Sequence, residues 1–138
     1  MPDEITRVDY YMGAIPNTPG EGVKVLNALK DAGVSLAGFL AYRRSAKVAE
    51  VVLVVAANAP SPAKVVKPAG LVLGKKEKGF LLTGEDRVGA LAETLGKLAA
   101  AGISVVKTNA VCGGAGRYGA LIAVEPTDLR KAAKALGI

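Results

Sequence analysis

Two stretches of the chain, LNALKDAGVSLAGFLAY (26–42) and LGKLAAAGISVVKTNAV (95–111), repeat one order of apolar residues and turn signals. Gly33 in the first stretch aligns with Gly102 in the second, at an offset of 69 residues. Self-similarity at a fixed spacing indicates two copies of one supersecondary unit. The same offset, without a gap, pairs Gly20 with Gly89, Leu29 with Leu98, Ala46 with Ala115 and Val55 with Val124.

Each repeat begins with a predicted strand and a predicted helix. The strands are RVDYYMGAI (7–15) and KGFLLTG (78–84). In the first helix, Val23, Leu26 and Leu29 are predicted to form the buried face, because apolar residues three or four apart share one side of a helix.

The helix boundaries are predicted from capping signals. The sequence Thr18-Pro19-Gly20-Glu21 fits a capping box, with Thr18 as the cap and Glu21 three residues later. Asp86 is the predicted cap in the second repeat. Gly33 and Gly102 stand where a helix ends in a left-handed residue.

A hairpin and a second helix complete each repeat. The helix is weak in the first copy, where Pro68 interrupts SPAKVVKPAG (61–70), and strong in TDLRKAAKALG (127–137). The first copy adds a last strand, LVLGKKE (71–77), but the second copy ends before an equivalent strand. The pattern predicts an α+β fold of two ferredoxin-like βαββαβ units, with domains at 6–76 and 77–138. The edge left by the missing strand is either bare or covered by another segment.

The segment Gly114-Ala115-Gly116-Arg117-Tyr118-Gly119 matches the G-x-G-x-x-G pattern of dinucleotide-binding loops. That function requires a helix directly after the motif. The following residues, YGALIAVE (118–125), instead favour a strand. We therefore interpret residues 112–117 as a hairpin loop in which glycines supply positive φ.

Composition excludes several kinds of site. The chain has 138 residues, no histidine, one cysteine and a formal net charge of +6. The absence of histidine removes the commonest general base and transition-metal ligand, and a single cysteine cannot form a disulfide within the chain. We predict no cofactor and no metal. With neither a secretory signal nor a long apolar run, we expect a cytoplasmic protein without a membrane partner.

Specific nucleic-acid binding is not expected. The RNA-recognition modules built on this fold expose aromatic residues on their central strands. Leu121 stands where a stacking aromatic is needed, and VAEVVLVV (48–55) contains none.

The strand VAEVVLVVAA (48–57) is apolar on both faces. Two helices cover only one face of such a sheet, so the other face must pack on something. We expect association between the repeats, between chains, or both, and a homodimer is the simplest assembly.

The two helix-entry segments, PNTPGEGVKVLNALKDAGVSL (16–36) and GEDRVGALAETLGKLAAAGISV (84–105), resemble the ACT domain family. The resemblance covers most of residues 6–138 and suggests a small stand-alone protein with two tandem ACT domains. It implies regulatory binding of a small molecule, most often an amino acid. In ACT domains two units pair side by side into a wider sheet, and the ligand lies at their interface. Carried over, the loop residues that would bind it are Asn17, Thr18, Pro19, Gly20, Asp86, Arg87, Val88 and Gly89.

The chemistry of these loops suits an amino acid. Free helix N–H groups attract a carboxylate, and Asp86 or Asn17 could take the ammonium group. The same residues also serve to turn the chain and begin the helix, which is a sufficient structural role. The resemblance implies no catalytic activity, so any regulated enzyme or regulator would be a separate chain.

Two alternatives stay open at the level of sequence. One is a small enzyme with a cleft between the repeats, using Glu85, Asp86 or Cys112 as its reacting group. The other is a ligand-free scaffold that binds proteins through a sheet edge.

Overall fold

The computed structural model describes residues 3–138 and divides the chain into two compact units. We call residues 9–77 the N-terminal unit, and residues 3–8 with 78–138 the C-terminal unit. The division at 6–76 and 77–138 stays a prediction.

The N-terminal unit follows the predicted element order. Its strands are β1 (Glu4–Pro16, from residue 9 onward), β2 (Gly38–Arg43) and β3 (Val48–Ala56), in the spatial order β2-β3-β1. The helices are α1 (Glu21–Asp31) and the single turn α2 (Ala63–Val66), which continues as a 3₁₀ turn at Lys67–Ala69. Pro68 explains why this second helix stays short, since proline removes a helical hydrogen bond.

The predicted last strand of the N-terminal unit is not regular. Residues 71–76 contain no strand, although the Gly74 amide donates to the Met12 carbonyl at 2.8 Å. Leu71 is buried, and its Cδ1 lies 2.6 Å from where a Cβ on Gly13 would stand. The segment therefore lies against β1 through side-chain burial and one hydrogen bond rather than a full ladder.

In the C-terminal unit the elements are β4 (Glu77–Glu85), α3 (Ala90–Ala100), β5 (Val105–Gly114), β6 (Arg117–Val124) and α4 (Leu129–Leu136). The strand order is β1-β4-β6-β5, with residues 4–8 of β1 at one edge. Residues 4–8 thus supply the strand that the second repeat lacks. The α+β ferredoxin-like architecture predicted from the repeat is confirmed.

Each unit has its own apolar core between its strands and its helices. Phe80, Leu82, Leu98 and Ile122 are fully buried in the C-terminal core. Of the residues at the equivalent N-terminal positions, Leu29 and Leu53 belong to the N-terminal core. The N-terminal core contains Ile15, Val25, Leu29, Val51, Leu53, Val66 and Leu71.

The predicted apolar face of α1 is partly wrong. Val25 and Leu29, four residues apart, are its buried positions, whereas Val23 and Leu26 are exposed. The side of α1 that packs on the sheet therefore runs through positions 25 and 29, one turn apart.

Both faces of β3 are buried within this one chain. Val51 and Leu53 belong to the core beneath the helices, and Val52 and Val54 on the opposite face are at most 1% exposed. The apolar second face therefore does not by itself require a second chain.

Candidate functional site

A cavity of about 260 Å³ lies in the C-terminal unit where β4 leads into α3. Loop 86–89 and the first turn of α3 form one side, and the end of β5 with the start of β6 forms the other. The residues that line it are Asp86, Arg87, Gly89, Ala90, Leu91, Ala92, Ala110, Val111, Cys112 and Tyr118.

The antiparallel register places these groups together. Tyr118 at the start of β6 is the cross-strand partner of both Gly84 in β4 and Cys112 in β5. The end of β5 therefore meets the end of β4 across β6, while the ISVVK segment (103–107) at the beginning of β5 lies at the other end of the hairpin.

The predicted helix caps are wrong in both repeats. The residue before α3 is Gly89, with φ 82° and ψ 4°, and the residue before α1 is Gly20, with φ 89° and ψ −11°. Neither helix has a side-chain cap, and neither Thr18 nor Asp86 acts as one.

A glycine turn replaces the cap. Ala90 N–H donates to the Arg87 carbonyl at 3.2 Å, closing a four-residue turn with the left-handed glycine at its third position. That conformation is typical of a type II turn. The first-turn N–H groups of α3 consequently have no side-chain acceptor, and they give the cavity an anion-attracting wall.

Asp86 brings the negative charge to the cavity. Its backbone N–H donates to the Gly116 carbonyl at 2.8 Å, which ties the loop to the β5–β6 hairpin. The Cys112 thiol donates to Asp86 Oδ2 at 2.9 Å, and the other carboxylate oxygen has no donor among residues 3–138. Asp86 can therefore accept a hydrogen bond from a bound cationic group.

Arg87 lines the cavity but is already paired. Its guanidinium lies 2.7 Å from Glu93 Oε2, and this hydrogen bond raises the pKa of Arg87 and lowers that of Glu93. Val88 is fully exposed and does not line the cavity. Of the four residues predicted in this loop, Asp86, Arg87 and Gly89 meet at the cavity.

Tyr118 is the residue that sequence reasoning missed. It is 8% exposed, lines the cavity, and its hydroxyl is buried with no hydrogen-bond partner among the described residues. Burial raises the pKa of the phenol, and the negative charge of Asp3 raises it further. Tyr118 is thus a protonated donor without an acceptor at neutral pH.

The equivalent loop of the N-terminal unit has different side chains. The Asn17 N–H donates to the Lys47 carbonyl at 2.9 Å, as Asp86 does to Gly116, and its side-chain amide donates to the Ala46 carbonyl at 3.2 Å. Thr18 closes the turn by accepting from Glu21 N–H, and Pro19 and Gly20 occupy its two central positions. Neutral Asn17 carries no charge to attract an ammonium group.

A larger cavity of about 470 Å³ lies elsewhere in the N-terminal unit, at the end of α1. Ala32, Val34, Val55 and Val65 are typical of its lining, which includes no charged side chain. This lining has no charged group that would bind the ammonium or the carboxylate of an amino acid. Among residues 3–138, no three acidic or cysteine side chains come together in a way that could hold a metal ion.

The chain is similar in structure to several known proteins. Protein BT0572 from Bacteroides thetaiotaomicron superposes with a TM-score of 0.72 at 18% identity, over 97% of this chain and 88% of that one. The ligand-free regulatory subunit of aspartate kinase from Thermus thermophilus gives 0.69 at 13% identity, over 99% and 95%. Aspartate kinase from Clostridium acetobutylicum gives 0.66 at 14% identity, over 97% of this chain and 33% of that one.

No family model matches the sequence, and no characterised protein matches it at significant similarity. None of the helices in residues 3–138 is long and apolar enough to cross a membrane. The structural similarities, all at low sequence identity, show the fold alone, which is that of two ACT-like, ferredoxin-type units.

Proposed function

We propose that this protein is a non-catalytic regulatory protein that binds an amino acid in the cavity beside loop 86–89. The observation that carries the proposal is that two complementary groups line one cavity. Asp86 offers a carboxylate oxygen without a donor, and α3 offers uncapped N–H groups. An amino acid brings an ammonium group for the first and a carboxylate for the second.

The N-terminal loop at Asn17, Thr18, Pro19 and Gly20 is a weaker second site in this proposal. Its helix terminus is uncapped in the same way, so it can attract a carboxylate. It lacks the negative charge, and the Asn17 amide is already used in the hairpin. We therefore expect the C-terminal unit to bind first.

The structural similarity to a regulatory subunit of aspartate kinase supports a regulatory role, with a separate enzyme or regulator as the partner. Association into a homodimer is also part of the proposal. Strand β5 is an edge strand with Val111 exposed beside the cavity and Val106 exposed nearer its other end, which suits pairing with a second copy. A ligand held near that edge would change the association, because it stabilises whichever state completes its site.

A thermal-shift screen against the twenty amino acids and common nucleotides tests the proposal. We expect one or a few amino acids to raise the unfolding midpoint with increasing concentration, by roughly 2.7 kcal/mol of stability at a hundred times the dissociation constant. Asp86→Asn should reduce the shift and Asn17→Ala should largely keep it. A shift by nucleotides alone, or by nothing, would contradict amino-acid binding.

A further inference from the structure

Segment 71–76 of the N-terminal unit turns alternate residues toward β1. The Gly74 N–H donates to the Met12 carbonyl at 2.8 Å. The Val72 carbonyl oxygen lies 2.6 Å from where a Cβ on Gly13 would stand. Residues 72 and 74 therefore both direct backbone polar groups at β1.

The residues between and beyond them face the other way. In an extended chain, successive residues direct their N–H and C=O groups to opposite sides, so Leu73 and Lys75 present theirs away from β1. Neither of these two N–H groups has an acceptor among residues 3–138. Val72 is 70% exposed, and Gly74 and Lys75 are exposed as well. A row of unpaired backbone groups open to solvent is able to take up an additional strand.

A cavity of about 260 Å³ lies beside this open side of the segment. It is lined by Ala63, Lys64 and Lys67 on one side and by Val72 and Leu73 on the other. The two lysines stand three positions apart in the turns formed by α2 and the 3₁₀ turn after it, so they share one side of these turns. The cavity thus combines an apolar wall with two ammonium groups.

The surroundings of the cavity carry positive charge that is not neutralised locally. No acidic residue occurs between positions 51 and 76, whereas four lysines do, namely Lys64, Lys67, Lys75 and Lys76. Within residues 3–138 only Lys75 among them has an ion-pair partner, Glu77, at 3.8 Å. A surface with such a charge excess attracts an anionic partner.

We infer that segment 71–76 is a docking site for an extended acidic segment of a partner protein. The segment adds to the open side as a strand and places acidic side chains against Lys64 and Lys67. A peptide pairs with both the N–H and the C=O groups of Leu73 and Lys75, whereas the phosphates of a nucleic acid accept only from N–H groups. Residues 61–76 also contain no aromatic side chain on which a base would stack.

Fluorescence anisotropy of the full chain with a short labelled peptide of alternating valine and glutamate tests this inference. We expect the peptide to bind, and Lys64→Glu/Lys67→Glu to weaken binding about tenfold, because two attractive charge contacts become repulsive. Lys30→Glu/Lys47→Glu makes the same change in net charge at two exposed lysines of the same unit that have no ion pair within residues 3–138. This matched control should bind within about twofold of the wild type. A peptide with lysine in place of glutamate should not bind.

Hydrogen exchange of the backbone amides tests the strand pairing separately. The amides of Leu73 and Lys75 should exchange more slowly when the acidic peptide is bound, since they gain acceptors. Peptide binding without this protection, or an equal loss of affinity in both double variants, would overturn the docking site. So would a single-stranded DNA or an anionic lipid vesicle that binds more tightly than the peptide and depends on Lys64 and Lys67.

The inference does not depend on the proposed amino-acid site. All the residues that carry it belong to the N-terminal unit, whereas Asp86 belongs to the C-terminal one. Asp86→Asn should therefore bind the acidic peptide like the wild type. Loss of amino-acid binding with retained peptide binding would count against the proposed function alone, and the reverse result would count against the docking site alone.

Discussion

Loops 17–20 and 86–89 follow the same backbone path in the two units. Each ends in a left-handed glycine, φ 89° at Gly20 and φ 82° at Gly89, directly before its helix. In each, the first residue donates its N–H to the facing hairpin, at 2.9 Å and 2.8 Å respectively. The repeat therefore keeps the turn and the open helix terminus in both copies.

What differs is the chemistry placed on that backbone. Asn17 is replaced by Asp86, Arg43 by Cys112, and Ala49 by Tyr118 when the first repeat is compared with the second. At these aligned positions, only the C-terminal unit has a negative charge and a buried phenol. The comparison teaches that loop shape is common to both units, whereas the groups that could recognise a ligand belong to one.

Replacing Gly84 by isoleucine and Tyr118 by alanine, the residues at the equivalent N-terminal positions, should give the largest changes in stability. Tyr118→Ala alone leaves a cavity and should cost about 3–5 kcal/mol of stability. Gly84→Ile alone overpacks against the Asp3 side chain, whose Oδ1 would lie 2.3 Å from the new Cβ, and against the Tyr118 ring, and should cost about 1–3 kcal/mol. The double variant restores the Ile15/Ala49 arrangement, so it should be more stable than the sum of the single changes by about 0.5–3 kcal/mol.

Urea denaturation of the four proteins in this cycle measures the coupling. If the two effects were purely additive, the side chains at positions 84 and 118 would not compensate for each other's volume in the core. The packing argument for comparing the two units would then be wrong.

Gly20→Ala and Gly89→Ala should give the next largest loss of stability, and the loss should be the same for both variants. An alanine at positive φ costs about 1–2 kcal/mol, and nothing lies within 4 Å of a Cβ at either position. Gly96→Ala is the control, since Gly96 is in the middle of α3 with equally open space and no positive φ. It should stabilise the protein by about 0.5–1 kcal/mol.

A clear difference in cost between Gly20→Ala and Gly89→Ala would show that the two turns are not equivalent. Thermal unfolding of the three variants beside the wild type is sufficient to compare them.

The buried phenol predicts a smaller effect that depends on pH. Burial, with the Asp3 charge second, raises the pKa of Tyr118 in the folded state. A group whose pKa is raised by folding contributes stability that is complete below its unfolded pKa, about 10, and is lost as the pH rises through the folded pKa. Wild-type protein should therefore lose more stability than Tyr118→Phe between pH 8 and about 10.5. If the stability of the two proteins changed with pH in the same way, the phenol would be exposed to water in the folded protein.

Much of the fold could be predicted from periodicity and turn residues. The glycines at 33 and 102 end their helices with φ 70° and 74°, as expected. The predicted 112–117 loop is shorter than expected, since β5 runs to Gly114 and β6 begins at Arg117. Gly114 and Gly116 have the expected positive φ, whereas the positive φ of Ala115 was not predicted. The sequence pattern predicts that the second repeat lacks its last strand, but it does not identify the segment that takes this place. Residues 4–8 belong to a strand that the pattern assigned to the first repeat, and sequence spacing cannot show that one long strand serves both units.

The candidate site was less accessible to sequence reasoning. Thr18 and Asp86 are residue types that commonly cap helices. In both units, however, the residue directly before the helix is a left-handed glycine that forms a turn, so the cap position is taken by a residue without a side chain. The sequence does not single out Tyr118, because its partner Gly84 lies 34 positions away and only the register of β4 with β6 brings them together. A position-by-position comparison of the two repeats at the 69-residue offset does reveal the difference, since Ile15 aligns with Gly84 and Ala49 aligns with Tyr118.

The most direct test of the central claim is the calorimetric stoichiometry of the best amino-acid ligand on wild-type protein, Asp86→Asn and Asn17→Ala. We predict one tight site per chain in the wild type, at least tenfold weaker binding in Asp86→Asn, where the loss of a charge-assisted contact costs about 1.5–3 kcal/mol, and an unchanged tight site in Asn17→Ala. Tight binding that survives Asp86→Asn and is lost in Asn17→Ala would place the ligand in the other unit and contradict the account.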